Sequence, residues 1–257
     1  MCAASTAPGA GALAAAWLGR VDYLAAWRLQ EAVATRVRRG DPERLLLLEH
    51  APVYTIGRRG TIAHLVASPA VLRAAGASVY RVDRGGDITY HGPGQLVGYP
   101  IVRLGEAGDL VGYVRAIEDG LGDALATYGI AGRAEKGKTG VWVDLPDGRP
   151  AKIAAIGVRV SRGITTHGFA LNVSTDLEAF ARILPCGFTH EVASLARLRV
   201  AADVQQVADR CAEALAGRLG RALVVNASLA PARDDEIPAD APVRSATDLL
   251  ERETVAV

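Results

Sequence analysis

Between Arg84 and Pro100 the chain reads RGGDITYHGPGQLVGYP, with glycines at 85, 86, 92, 94 and 98 and prolines at 93 and 100. Glycine admits positive φ and lets a ligand approach the main chain closely. Here the glycines alternate with side chains that bind or polarise: Arg84, Asp87, Thr89, Tyr90, His91 and Gln95. Ser78 to Val82 and Gln95 to Val102 read as strands on either side, so the pattern is strand, glycine loop, strand. That is what a pocket wall requires. A ligand-free hairpin is the plain alternative, but hairpin turns rarely need so many glycines.

The remaining chain alternates helices and strands around this loop. Asp22 caps a helix from Tyr23 to Arg39 that Gly40 stops. Leu45 to Glu49 is a continuous apolar run of strand length, and Val53 to Ile56 is a second short strand. Ser68-Pro69 opens a helix closed by Gly76, and Leu110 to Tyr128 reads as a long helix whose interior glycines weaken its middle. A hairpin follows, from Gly140 to Asp144 and Lys152 to Val160 around Pro146-Asp147-Gly148. Another strand spans Ile164 to Val173, and a short helix starts at Asp176. The last elements are an amphipathic helix from Asp203 to Leu219 and a strand from Ala222 to Val225. Several hairpin-linked strands with few crossover helices predict an α+β fold, a mixed and largely antiparallel sheet packed with helices.

At 257 residues and 50% hydrophobic, the chain has enough apolar mass for one sizeable domain. The expected organisation is a disordered start over 1–14, one domain over 15–228, and a flexible tail over 229–257 with a helical turn near Leu249. Lys and Arg number 29 against 28 Asp and Glu, a net charge of +1 that argues against a generalised nucleic-acid binder. No apolar run reaches membrane-spanning length and the start lacks a basic leader pattern, so a cytoplasmic location is expected. The cysteines Cys2, Cys186 and Cys211 make no paired framework, which fits a reducing compartment. With no HxxxH, CxxC or GxxxxGK[ST], neither a protein-bound metal nor a P-loop nucleotide is expected.

Of the cysteines, Cys186 in LPCGF stands between a turn-setting proline and an uncrowded glycine. A thiol needs a neighbouring base or positive charge to become a good nucleophile. Cys211, inside VADRCAEAL, reads as a small buried hydrophobe. Lys152 opens the apolar strand KIAAIGVRV and is either a strand-edge gatekeeper or a desolvated amine able to exchange protons with a thiol. His91 and His167 are candidates to line the same site, each with a structural histidine as its alternative.

Four blocks, RGGDITYHGPGQLVGYP at 84–100, KIAAIGVRV at 152–160, THGFALNV at 166–173 and PCGF at 185–188, together with LLLLEHAPVYTIGRR at 45–59, resemble the octanoyltransferase family of lipoate biosynthesis. The resemblance runs collinearly over about residues 18–225 and implies the biotin/lipoate protein ligase catalytic fold. It implies transfer of an octanoyl group from the phosphopantetheine thioester of acyl carrier protein to a lysine of a lipoyl domain. The acceptors implied are the E2 subunits of 2-oxoacid dehydrogenases and the glycine cleavage H protein.

By the same resemblance Cys186 matches the acyl-thioester nucleophile, and Lys152 the residue that lowers its pKa and acts as acid and base. Arg84, Gly85, Gly86, Asp87, Ile88, Thr89, Tyr90 and His91 match a substrate-binding wall. Ala155, Ile156 and Gly157, then His167, Gly168, Phe169 and Ala170, match the shorter binding segments. Many relatives carry serine or cysteine where Ala155 stands. Because a thioester donor is already activated, no ATP, metal or other cofactor is implied. Apolar positions in the binding strands would form a narrow tunnel for the acyl chain. The alternatives are an ATP-dependent lipoate or biotin ligase of the same fold and a non-catalytic module that binds acyl chains or carrier proteins.

Overall fold

The structure, a computed structural model, describes residues 11–105, 108–184, 191–225, 227–237 and 244–245. Among these, two sheets carry the architecture. An eight-stranded sheet has the order β11-β1-β2-β6-β10-β9-β8-β7, and a four-stranded sheet the order β12-β4-β3-β5. The strands of the large sheet are β1 (Ala12–Val21), β2 (Glu43–His50), β6 (Gln95–Ile101), β7 (Arg133–Glu135), β8 (Lys138–Asp144), β9 (Pro150–Ser161), β10 (Ile164–Asn172) and β11 (Ala222–Val224). The small sheet comprises β3 (Val53–Ile56), β4 (Ser78–Arg81), β5 (Ile88–His91) and β12 (Arg244–Ser245). From β2 to β7 every pairing in the large sheet is antiparallel, and only β1 pairs in parallel with β2 and β11. The predicted mixed α+β class holds.

The apolar run of β2 is explained by burial on both faces. Leu45 and Leu47 join the core under α3 (Leu110–Ala126) and α4 (Val204–Arg218), while Leu46 and Leu48 point the other way beneath α1 (Tyr23–Arg38). Each fully buried leucine contributes roughly 1.5–3 kcal/mol relative to exposure. The helix signals hold as well. Asp22 Oδ1 accepts from the main-chain N–H groups of Leu24 and Ala25 at 2.9 and 3.1 Å. Ser68 caps the short α2 (Pro69–Ala74), and Asp203 caps α4. The glycines inside α3 turn out to be packing devices: a Cβ on Gly120 would lie 2.9 Å from Leu215 Cδ2 of α4. Cys211 is fully buried in the same core, where desolvation pushes its thiol up to about 12.

Three departures from expectation share one cause, long-range pairing. β1 begins at Ala12, inside the stretch expected to be disordered, because its main chain is held between β2 and β11. β5 forms within the glycine loop, pairing residue by residue with β3 from Ile56↔Ile88 to Val53↔His91. The start of the expected flexible tail is docked: Arg36 Nη1 donates to Ala230 O at 2.9 Å, and Arg36 makes paired contacts of 2.7 and 2.5 Å with Glu236. Arg36 and Arg233 hold the Glu236 carboxyl near 2, well below its usual range. The expected turn at Leu249 and most of the 1–14 segment lie outside the described residues.

Candidate active site

A cavity of about 950 Å³ opens where β5 of the small sheet faces β9 and β10 of the large one. Pleating decides which side of β5 contributes. Thr89 and His91 look into the cavity, whereas Tyr90 turns away and packs with Tyr54 and Phe180 at ring-centroid distances of 5.2 and 5.7 Å. Gly85 also stays off the cavity surface. Its N–H donates to Val158 O at 3.0 Å, joining the loop to β9.

The other expected wall residues line the cavity: Arg84, Gly86, Asp87, Ile88, Thr89 and His91 from the glycine loop, with Ala155, Ile156 and Gly157 from β9. His167, Gly168, Phe169 and Ala170 line it from β10, and Lys152 stands at the start of β9. The glycine loop, β9 and β10 therefore meet here. Gly168 is required by this convergence, because a Cβ there would sit 2.1 Å from Gly98 O. Gly98 in turn leaves room for the Phe169 ring, which a Cβ would meet at 2.2 Å.

Arg84 is a buried clamp rather than a loose cation. Its Nη2 donates to Thr55 O and Oγ1 at 2.6 and 2.9 Å, and its Nη1 donates to Gly85 O at 2.9 Å. Burial lowers its pKa from the ordinary guanidinium value. Asp87 closes the loop, accepting from Ile88 N–H at 2.7 Å and meeting His64 Nδ1 at 2.7 Å. The floor is a histidine–tyrosine cluster. His91 stacks on Tyr23 with an interplanar angle of 9°, and His50 Nε2 lies 2.7 Å from Tyr99 Oη. Desolvation holds His91 near 3 and His50 near 4, so both imidazoles are neutral at physiological pH.

His167 is held in a left-handed conformation, φ 57°, a strained choice for a residue with a Cβ. Its N–H donates to Gln30 Oε1 at 2.7 Å, and its Nε2 lies 2.7 Å from Asp83 Oδ1. Asp83 also pairs with Arg159 at 2.8 Å. Burial opposes the Asp83 charge, but the hydrogen bond from His167 and the nearby Arg159 leave its carboxyl below the usual value. His167 is lowered by desolvation, against the pull of Asp83. The pair is an ionised carboxylate accepting from a neutral imidazole.

At the mouth, Lys152 Nζ donates to Thr139 O at 3.1 Å and lies 4.8 Å from the centre of the Trp142 ring. Lys138 Nζ lies 5.0 Å from the same ring, and Arg59 also reaches the cavity surface. The main chain of Lys152 is tied on both sides to the segment after residue 190: its N–H donates to Glu191 O at 2.8 Å, and its O accepts from Ala193 N–H at 2.9 Å. Cys186 falls in 185–190, outside the described residues, as does His190. Leu184 and Glu191, the residues flanking that span, both line the cavity. Among the described residues no group of three or more metal-type ligands gathers, and no helix is long and apolar enough to cross a membrane.

Several lining residues carry no sequence signal of their own. Tyr23 and Tyr99 read as ordinary amphipathic positions of a helix and a strand. Leu177 and Phe180, on the 3₁₀ segment Leu177–Arg182, read as core.

Comparison with known proteins places this arrangement. Residues 22–216 match the family model described as the lipoyl protein ligase A/B catalytic domain. A protein of Solibacter usitatus named octanoyltransferase is 48% identical over 218 residues, covering 84% of this chain and 96% of the relative. One of Mycolicibacterium gilvum with the same name is 47% identical over 221 residues, covering 85% and 90%. Among solved structures, a bi-partite lipoate protein ligase from Thermoplasma acidophilum superposes with a TM-score of 0.67 at 17% identity, covering 96% of this chain and 92% of its own. Lipoate-protein ligase A bound with ATP gives 0.65 at 18% identity, covering 96% and 95%. At such identities these two likenesses concern the fold.

Proposed function

For a chain that belongs to the lipoyl protein ligase A/B catalytic-domain family, and within it to the octanoyltransferases, we propose a two-step acyl transfer through a cysteine thioester. The transfer of octanoyl groups in lipoate biosynthesis is the activity of the family. The finer reading concerns which residues carry it and between which partners.

Octanoyl acyl carrier protein is the donor. The Cys186 thiolate attacks the donor thioester carbonyl, the C–S bond to phosphopantetheine breaks, and the pantetheine thiol leaves with a proton. The neutral ε-amine of a lipoyl-domain lysine then attacks the Cys186 thioester. An amide forms, the cysteine sulfur leaves, and the amine loses one proton. Lys152 is the group that trades these protons with the sulfur and stabilises the thiolate electrostatically. The observation that carries the assignment is placement. Lys152 lies at the cavity mouth, its own main chain hydrogen-bonds Glu191, and Cys186 follows cavity-lining Leu184 by two residues, within about 7 Å of chain reach.

The acyl chain occupies the apolar part of the cavity, against Ile156, Phe169, Ala170 and Phe180. Each methylene buried there contributes about 0.8 kcal/mol, so depth selects chain length. The carbonyl carbon stays at the mouth, near the amine. Acceptors are lipoyl domains of 2-oxoacid dehydrogenase E2 subunits and the glycine cleavage H protein, and the reaction runs in the cytoplasm. The donor thioester supplies the driving force, so neither ATP nor a metal takes part. The test is transfer from octanoyl carrier protein to a purified lipoyl domain, with and without ATP. Equal rates in both support the reading, and strict dependence on ATP overturns it in favour of a ligase.

A further inference from the structure

We propose that Gln95 and Asn172 are positioning residues that lock His91 in one tautomer, so that its Nε2 accepts an N–H hydrogen bond from the substrate amine. The proposal rests on the acyl-transfer reading above for the identity of that amine, but the tautomer itself does not.

The argument starts at two main-chain carbonyls, which can only accept. Ala193 O lies 2.9 Å from the side-chain amide of Asn172, so Asn172 must present its NH₂ there and its Oδ1 elsewhere. That oxygen lies 2.9 Å from the Gln95 amide, which also contacts Tyr90 O at 3.2 Å. Both partners accept, so Gln95 must direct its NH₂ to them. Its Oε1 is left facing His91 Nδ1 at 2.8 Å, and an amide oxygen cannot donate. Nδ1 therefore carries the hydrogen and Nε2 carries the lone pair. The two amide orientations are fixed by fixed acceptors, so the usual ambiguity of amide flips and histidine tautomers does not enter.

Nε2 has no hydrogen-bond partner among the described residues, and His91 lines the cavity. The groups around the ring keep it neutral. It is buried, His50, Arg84 and His167 all disfavour a second positive charge, and Tyr23 covers one face. Such an imidazole is a fixed acceptor that does not take the proton. An amine held by one N–H to this nitrogen has its lone pair restricted in direction, which is what attack on a thioester carbonyl requires. The same chain ends on Lys152: Ala193 N–H donates to Lys152 O at 2.9 Å. Gln95 and Asn172 thus tie the acceptor nitrogen and the lysine into one hydrogen-bonded frame.

The test uses the whole chain labelled with ¹⁵N in histidine, with the His91 signals identified by their loss in His91→Gln. The expected result is a protonated Nδ1 and a bare Nε2, unchanged between about pH 5 and 8. A protonated Nε2, or titration with a midpoint near the ordinary histidine value, overturns the proposal without bearing on octanoyl transfer. Gln95→Glu then places a carboxylate against Nδ1, favouring the imidazolium and turning Nε2 into a donor. In that variant, deacylation by a lipoyl domain should slow by about tenfold or more, while acyl-enzyme formation from octanoyl carrier protein changes less than about threefold. Equal loss in both half-reactions, or none in the second, contradicts the role in holding the amine. Asn172→Asp, which removes the donor to Ala193 O, should show a smaller effect in the same direction if Gln95→Glu does not fold. Should the wild-type chain transfer no octanoyl group, the acyl-transfer reading fails while the tautomer result stands.

Discussion

The main-chain N–H of Lys152 donates to the carbonyl of Glu191 at 2.8 Å, so the lysine at the cavity mouth and the chain that follows Cys186 are fastened together. The electrostatic effect of an amine on a thiolate falls with separation, so under the proposed mechanism the anchoring of Lys152 matters. Lys152→Ala should lower kcat by at least about a hundredfold and raise the pH at which Cys186 is alkylated. The iodoacetamide rate against pH checks it. An alkylation profile identical to that of the wild type removes Lys152 from the proton-transfer role.

Gly168 and Gly98 are determined by packing. Gly168→Ala puts a methyl 2.1 Å from Gly98 O, a main-chain atom that cannot swing aside. The expected destabilisation is at least about 1–3 kcal/mol, read as a fall in the urea midpoint. By contrast, Gly217→Ala lies where nothing approaches a Cβ, in the last turn of α4, and should stabilise slightly. Equal midpoints for the two variants would contradict this packing.

His50 and His91 set an acid limit to stability. Both are neutral and buried in the folded chain, near 4 and near 3, while in the unfolded chain each takes a proton near 6.5. Below about pH 6.5 the unfolded state binds more protons, so stability falls with pH by about 1.4 kcal/mol per unit for each ring until the folded values are reached. His50→Gln should flatten the slope of unfolding free energy against pH between about 6 and 4, whatever its effect at neutral pH. An unaltered slope would show that His50 is not held neutral.

Acyl-chain preference follows from cavity depth. Ala155 lines the cavity from β9, and Ala155→Leu adds three carbons to the space offered to the acyl chain. Rates with hexanoyl carrier protein should rise relative to octanoyl by about tenfold or more, since roughly two methylenes of burial are exchanged. An unchanged ratio would place the chain elsewhere.

Legibility in the sequence followed the range of the interactions. Asp22, Ser68 and Asp203 announce their helices because capping acts over two or three residues. Leu45–Leu48 announces a buried strand because both of its faces are covered. ALAAAWLGRV carries no β-branched cluster, and it becomes a strand only through partners more than 25 residues away in β2 and about 200 residues away in β11. The docked part of the tail has the same origin, since Arg36 and Glu236 are 200 positions apart. In the site, the glycine loop marks the wall, but nothing in RGGDITYH tells which alternate side chains face inward. Pairing with β3 decides that, sending Tyr90 into the small core and His91 into the cavity. The frame of Gln95 and Asn172, 77 positions apart, is visible only in three dimensions.

The central claim is a covalent octanoyl thioester on Cys186, and intact-protein mass spectrometry reads it directly. Mixed with octanoyl carrier protein and no ATP, the chain should gain the mass of one octanoyl group, carried by the peptide holding Cys186 and discharged on addition of a lipoyl domain. No mass gain while the lipoyl domain is still octanoylated, or a label on any other residue, would contradict it.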